Sequence, residues 1–536
     1  MKTLRMTVML LVLAGAALGV RAAETPRMAD LVPAQAGALV EIENAAGMRD
    51  MLLDSAFWAA LQNTQAARQW HASEAYMRAQ ESIERLLGNL EMTREQALKT
   101  YLGGRSALVL LPAPGEKPYG VFLTEATNEM AEKLIKAVGG IEIDRHKDIR
   151  VWEVTKDNHV DHMAFAGGVL MITRPRADEL EQVLDVVVGG GAALGRDASF
   201  VKTVEGLPAG WRVRAFGAQI PPLKCPGAVA MYPDKDAGRL HFEWRMTTGP
   251  NDLFSINRPV ALAGPASLPD SAVAAVTSVL HTQALYEKAE KKILEQADGE
   301  EKLRKAKMFI RGWFPGHSIE SIVGAFGPEA AGALVKGENG SAPGLVCMAR
   351  LTASGKPVAH AFKDGLAAKA MIFGALGQKG ENPVVVSVRE EAYGDASMVI
   401  IEAPEALRKM LGNWADDIGL TIAVTGDWLI VGTTPAGVKR TIDTASGKGG
   451  SLADAMTAAG EKVPAGPVTR WGVLRPAEGA AIVLDWAEKL LGRERVEQAR
   501  HLTNLAELMN LVKHVLWQRT DEPEVMRGAA DVQAVK

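Results

Sequence analysis

MAFAGGVLMITRPRADELEQVLD, residues Met163–Asp185, carries the pattern around which the rest of the chain is organised. Two short apolar runs flank Gly167-Gly168, and Leu180, Val183 and Leu184 follow Pro175 at helical spacing. A Gly-Gly pair supplies the positive φ angles of a two-residue hairpin loop, and Pro suits the first turn of a helix. The pattern returns in Thr421–Asp443, TIAVTGDWLIVGTTPAGVKRTID. Here Gly426-Asp427 takes the turn, Pro435 the helix start, and Val438 and Ile442 the buried side. A hairpin and helix used twice, about half a chain apart, point to a tandem duplication.

Upstream of the first hairpin, Ala38–Asn44 alternates as a strand, with Val40 and Ile42 expected inward and Glu41 and Glu43 outward. Ala45 to Leu90 reads as helical, and Thr93-Arg94-Glu95-Gln96 is a capping box opening a short helix that ends by Gly103. Strands are expected at Ala107–Leu111, Gly120–Thr124, Ile141–Asp144 and Ile149–Val154, with a helix over Glu129–Val138. Beyond the hairpin, Trp211–Phe216 and the pair Ala228–Tyr232 and Leu240–Met246 read as further strands.

The series then restarts. LPDSAVAAVTSV echoes LVPAQAGALVEI, with Pro269 in the place of Pro33. A charged helix over Tyr286–Ile310 matches the first long helical segment, and Ser318–Gly327 echoes the short capped helix. Strands are expected at Gly344–Leu351, Pro383–Arg389 and Met398–Glu402, and Trp471 stands to the second hairpin as Trp211 does to the first. His514–Arg519 and Val525–Val532 close the series as a strand pair. The expected class is α+β: two tandem related domains, each a mainly antiparallel sheet with packed helices. The expected division is a signal peptide over 1–22, a first repeat over 23–248, a proline-rich linker over 249–268 and a second repeat over 269–536.

The first 22 residues differ from the rest. Lys2 and Arg5 precede the uncharged apolar run Val8–Val20, and Val20-Arg21-Ala22 resembles a small-x-small processing site. That is the layout of a cleavable secretory signal peptide, and the run is short for the roughly 20 residues that span a bilayer. A periplasmic or secreted address follows as the expectation, with no transmembrane segment after signal removal. The full sequence balances its charges, 60 Lys+Arg against 64 Asp+Glu over 536 residues, which argues against a nucleic-acid partner. Only Cys225 and Cys347 are present, in different halves, and they read as two thiols and not a disulfide.

Four stretches carry residues of candidate chemistry. Glu41 and Glu43, about 7 Å apart on one strand face, have the spacing of paired carboxylates in sugar hydrolysis, but alternating Glu is also what a wetted strand face looks like. His159, Asp161 and His162 form the nearest approach to a metal cluster, yet residues three apart on a strand face opposite ways. Ser318, in GHSIE, lacks the final Gly of a nucleophile elbow and reads as an N-cap. Gly447-Lys448-Gly449-Gly450-Ser451 lacks the first Gly of a phosphate loop and follows a helix, as Gly189-Gly190-Gly191 does in the first half. No catalytic, cofactor-binding or metal-binding residue is assigned, and no cofactor is expected. The stripe in Tyr286–Ile310 reads either as a partner-binding face or as a helix packed on its own sheet. Trp58, Trp70, Trp313 and Phe314 read either as the lining of an apolar groove or as core.

These features resemble a family of exported bacterial proteins classed as a domain of unknown function. The resemblance rests on the opening strand Leu31–Val40, the hairpins at Gly168–Ile172 and Gly426–Val431, and the closing strand pair. It implies no assigned activity and carries over no site residues. The function expected is that of an exported, non-enzymatic protein binding a macromolecular or envelope partner. Carriage of an apolar ligand such as a lipid, and hydrolysis of an envelope or extracellular substrate, are the alternatives.

Overall fold

A computed structural model describes residues 27–534 apart from 54, 113–117, 157–158, 175–176, 222–223, 235–237, 249–255, 339, 378–385, 406–407, 410–411, 465, 493–495, 497–499 and 523. The expected signal peptide, Pro175, Pro383 and the first part of the expected linker lie outside the described residues. The chain is α+β, and every strand pairing described below is antiparallel. It divides into two compact units, one of Met1–Thr248 with Val525–Lys536 and one of Gly249–Glu524.

The first unit holds β1 (Ala38–Ile42), β2 (Ser106–Leu111), β3 (Tyr119–Glu125), β4 (Ile141–His146), β5 (Ile149–Lys156), β6 (His159–Ala166), β7 (Val169–Arg174), β8 (Val213–Ile220), β9 (Cys225–Asp234) and β10 (Arg239–Thr247). Their order in the sheet is β4-β5-β6-β7-β3-β2-β1-β8-β9-β10. The β6–β7 turn is the Gly167-Gly168 pair, at φ 60° and 78°, and its backbone twist suits the strands it joins.

In the second unit, β11 (Ala272–Val279), β12 (Phe326–Val335), β13 (Gly344–Leu351), β14 (Val388–Tyr393), β15 (Ala396–Glu402), β16 (Gly419–Thr425), β17 (Trp428–Gly432), β18 (Arg470–Leu474) and β19 (Val512–Asp521) follow in sequence. Their order is β14-β15-β16-β17-β13-β12-β11-β18-β19. Gly426, at φ 51°, opens the β16–β17 turn. Thr434 caps the next helix, Pro435–Ala445, whose Val438 and Ile442 are buried in the unit's core.

One strand departs from the order of the sequence. β20 (Val525–Ala534), assigned from sequence to the second repeat, belongs to the first compact unit and runs along β10 from Arg239↔Gln533 to Thr247↔Val525. β10 is therefore flanked on both sides.

Each unit buries one face of its sheet. In the first, Leu39, Val109, Val121, Met171 and Phe216 pack with Leu180, Val183 and Leu184 of the helix Ala177–Val187. In the second, Ala333, Val346, Met398, Ile430 and Trp471 pack with Val438 and Ile442.

The long helical segments differ from expectation. Ala45–Leu90 is four helices, the last three opened by Ser55, Thr64 and Ser73, whose side chains accept from the backbone N–H three residues on. Each such cap is worth about 1 kcal/mol and competes with helix continuation at the residue that supplies it. Tyr286–Ile310 is likewise two helices, Thr282–Leu294 and Gly299–Arg311. At the join a Cβ on Gly299 would collide with the Ile293 carbonyl. The Thr93–Gln96 capping box forms with both reciprocal bonds, and Ser318 caps Ile319–Gly324.

Candidate apolar binding faces

Glu41 does not lie on a wetted face. It is buried beside Leu39, where Oε2 accepts from Arg214 Nε at 2.8 Å and also from Nη2, and Oε1 accepts from Ala29 N at 3.1 Å. The Arg214 guanidinium in turn lies 4.5 Å from the centre of the Trp211 ring. Glu43 is exposed and lies just beyond the end of β1. The carboxylate therefore anchors the short helix Met28–Leu31 to the sheet, and the two glutamates do not share a cleft. The second unit does the same from a neighbouring strand. Glu329 of β12, also buried, accepts from Ala263 N at 3.0 Å and Gly264 N at 2.6 Å, ahead of β11. Thr277, opposite Trp471 in the register, shares that inner face with Glu329.

The histidine cluster separates in the same way. Asp161 is bound by Arg174, with Nη2 donating at 2.6 Å, while His162 is buried on the opposite face with Nε2 3.9 Å from Glu153. The His159 side chain lies outside the described residues. Among the described residues no group of three or more His, Cys, Asp and Glu side chains is placed to hold a metal ion. Gly189 and Gly447 end helices in the left-handed region, at φ 82° and 73°, as helix-terminating glycines do. Cys225 is buried and Cys347 exposed, and they form no disulfide.

One pair that the sequence reading missed is Lys363 and Ser397. The ammonium of Lys363 is buried on the helix Lys356–Gly377 and donates to Ser397 Oγ at 2.5 Å. Serine–lysine pairs serve as nucleophile and base elsewhere, but Asp364 lies 3.4 Å from this ammonium.

Larger than any polar cluster is the outer face of each sheet. Residues opposite one another in an antiparallel register project to the same side, so the pairings define rows across the strands. In the first unit one row runs Ile172, Phe122, Leu108, Val40, Ala215 and Val229. It contains no polar side chain. The corresponding row of the second unit runs Val431, Cys347, Gly332, Val276, Gly472 and Trp517, with the Trp517 ring lying over Gly472.

These faces are covered only in part. The helix Asn128–Ala137 packs on the β5–β7 end of the first face, through Ala131 and Ile135 against Val154, Met163 and Leu170. The helix Lys356–Gly377 packs on the β16–β17 end of the second, through Ala359, Phe362 and Leu366 against Ile422, Leu429 and Val431. Toward the middle, large apolar side chains remain open to solvent. Leu110 and Val229 are exposed in the first unit, and Val276 and Leu345 are 39% and 52% exposed in the second. A sheet whose second face were simply wetted would alternate apolar with polar, as β1 was expected to do. SALVLL and AVAAVTSV instead place apolar groups on both sides.

Compared with protein-family models, with curated proteins and with solved structures, the chain matches none. Among the described residues no helix is long and apolar enough to cross a membrane.

Proposed function

We propose that this chain is an exported, non-enzymatic binding protein built from two copies of one folding unit, and that it holds an apolar envelope ligand, such as a lipid acyl chain, on an open sheet face. The observation that carries the reading is the pair of unbroken apolar rows, Ile172 to Val229 and Val431 to Trp517, on faces that helices cover only in part, leaving Leu110, Val276 and Leu345 exposed. A flat floor of Ala, Gly, Val and Leu offers no directed hydrogen bond, so it suits a chain of methylenes better than a polar solute. A fully buried methylene gains about 0.8 kcal/mol and one laid on an open face a part of that, so affinity should rise with chain length.

The duplication is supported by the strand orders. If β1–β9 correspond to β11–β19, the order 4-5-6-7-3-2-1-8-9 is repeated as 14-15-16-17-13-12-11-18-19. The two hairpin-plus-helix stretches fall at matching places in it. Export rests on the N-terminal charge and hydropathy pattern alone, and the resemblance to exported proteins of unknown function is in keeping with it.

The test is native mass spectrometry of protein purified from its own host, followed by titration with a fluorescent long-chain fatty acid. Bound lipid, and a probe affinity weakened tenfold or more by Leu345→Asp or Leu110→Asp, is the expected result. A clean apo mass together with no probe binding sinks the reading. So does reproducible hydrolysis of a glycan or peptide that a single point change abolishes.

A further inference from the structure

A second apolar surface lies away from the sheet rows, on the helical pair Thr282–Leu294 and Gly299–Arg311 of the second unit. Met308 and Phe309, in the last turns of the second helix, are 64% and 69% exposed. The chain then turns through Gly312 and Trp313. The Phe309 and Trp313 rings meet edge to face, with centroids 6.2 Å apart, and the ammonium of Lys369 sits 3.8 Å from the centre of the Trp313 ring. Lys369 also donates to the Gly312 carbonyl, which fixes the helix Lys356–Gly377 beside this turn. Ile372 and Phe373, three and four residues further along, share the face of Lys369, and Phe373 is 68% exposed. Four large apolar side chains thus stand in water around one turn.

Along the second helix the cations outnumber the carboxylates. Lys302, Arg304, Lys305, Lys307 and Arg311 follow one another with no acidic residue between Glu301 and Glu320. Lys302, Lys305 and Lys307 are held by Asp298, Glu301 and Glu290 at 2.8, 2.6 and 2.7 Å. The outward charge near Met308 therefore falls chiefly to Arg304, Arg311 and Lys369. An open groove of 490 Å³ beside the helix is lined by Leu294, Leu303 and Met308 on the apolar side and by Arg304, Lys307 and Arg311 on the cationic side. Glu300 lines it as well.

Exposed Phe, Met and Ile ringed by Arg and Lys on a helix end is the composition of an interfacial membrane element. The apolar groups enter the headgroup boundary and the cations meet lipid phosphates. A nucleic acid would engage the cations but leave Phe309 and Phe373 in water, and a neutral protein partner would leave the arginines without counter-charge. We propose that this tip, Arg304–Trp313 with Lys369–Phe373, docks the protein on the surface of a bilayer containing anionic phospholipid. The inference does not depend on what the sheet faces hold.

The experiment is co-sedimentation of the mature chain with sucrose-loaded vesicles of phosphatidylglycerol and phosphatidylcholine, and with vesicles of phosphatidylcholine alone. The wild-type chain is expected to bind the anionic vesicles at least tenfold more tightly, and to release them as salt is raised. Met308→Glu/Phe309→Glu and, separately, Arg304→Glu/Arg311→Glu should each lose that binding while keeping the wild-type circular dichroism and melting temperature, since all four side chains are exposed or line the open groove. Leu345→Asp, on the sheet face, should sediment like wild type, which keeps this test distinct from that of the apolar rows. Failure of the wild-type chain to sediment with anionic vesicles overturns the proposal, as does equal binding to phosphatidylcholine. Wild-type binding by the folded Met308→Glu/Phe309→Glu variant does so too, because the tip would then be reading negative charge and not a lipid boundary.

Discussion

Glu41 and Arg214 face each other across the β1–β8 register, the carboxylate buried and the guanidinium partly so, with the guanidinium donating to the carboxylate from Nε at 2.8 Å and lying over the Trp211 ring. Because Glu41 also accepts from Ala29 N, the pair fixes both the sheet and the short helix before it. Removing one partner of a buried ion pair leaves an uncompensated charge, at a cost of about 3–5 kcal/mol. Arg214→Ala should therefore lower stability to denaturant by about that much, while Glu41→Leu/Arg214→Met should recover a large part of it. Additive losses in the double variant would show that the two residues act separately. Any hydrolytic activity that survives Glu41→Gln rules this glutamate out as a catalytic acid or base.

The two thiols should differ in reactivity. Cys225 is buried in β9, whereas Cys347 lies on the open face of β13. Partial desolvation pushes the Cys347 thiol above its ordinary value, so even the accessible thiol is a sluggish nucleophile near neutrality. A maleimide or disulfide reagent is expected to modify one thiol per native chain, with a rate that climbs with pH beyond the usual cysteine range, and a second only on unfolding. A long-chain fatty acid on the second unit's apolar row should slow the first reaction.

His241 of β10 donates from Nδ1 to Asp531 of β20 at 2.8 Å and from Nε2 to Glu243 at 3.1 Å. Burial opposes its charge, but the two carboxylates outweigh burial and hold its pKa above the ordinary value of 6.5. A histidine raised on folding contributes stability that is fully present below its unfolded pKa and is lost as pH rises through the folded one. The difference in melting temperature between wild type and His241→Gln should thus be largest in mild acid and shrink as the solution becomes alkaline. Asp531→Asn should flatten that dependence. A difference that grows toward alkaline pH would contradict the assignment.

The β4–β5 turn runs through Lys147 and Asp148 at φ 48° and 67°, a left-handed pair with no glycine. The hairpins at Gly167-Gly168 and Gly426 meet the same demand without a Cβ penalty. Lys147 is tied to Asp185 at 2.7 Å, which leaves Asp148 as the residue to exchange. Asp148→Gly should raise stability by roughly 0.5–1 kcal/mol, read from the midpoint of a urea titration. No change, or a loss, would mean that the aspartate side chain stabilises the turn locally.

What could be read from sequence was local. The two hairpins, the Thr93 capping box and the Ser318 cap each lie within a few residues and form as expected. Whether one long helix or several short ones fill 45–90 depended on competition between helix continuation and the Ser55, Thr64 and Ser73 caps, which periodicity does not weigh. Glu41 was misjudged because alternation assumes that charge points to water, and its partner lies 173 residues away. The apolar outer faces had left a trace in SALVLL and AVAAVTSV, where successive residues are apolar and neither side of the strand is written for solvent. The exposed tip at Met308–Trp313 left a weaker one, since the same stripe on a packed helix would read identically.

The strand β20 has a bearing on how the protein is made. A ribosome releases β10 long before β20, because all of Gly249–Glu524 is translated between them, so the first unit emerges with an unpaired strand edge. Such an edge is a template for pairing with other chains, and a nascent polypeptide at that stage is exposed to aggregation. Production of residues 27–248 by themselves should accordingly yield insoluble material that a synthetic Val525–Ala534 peptide rescues.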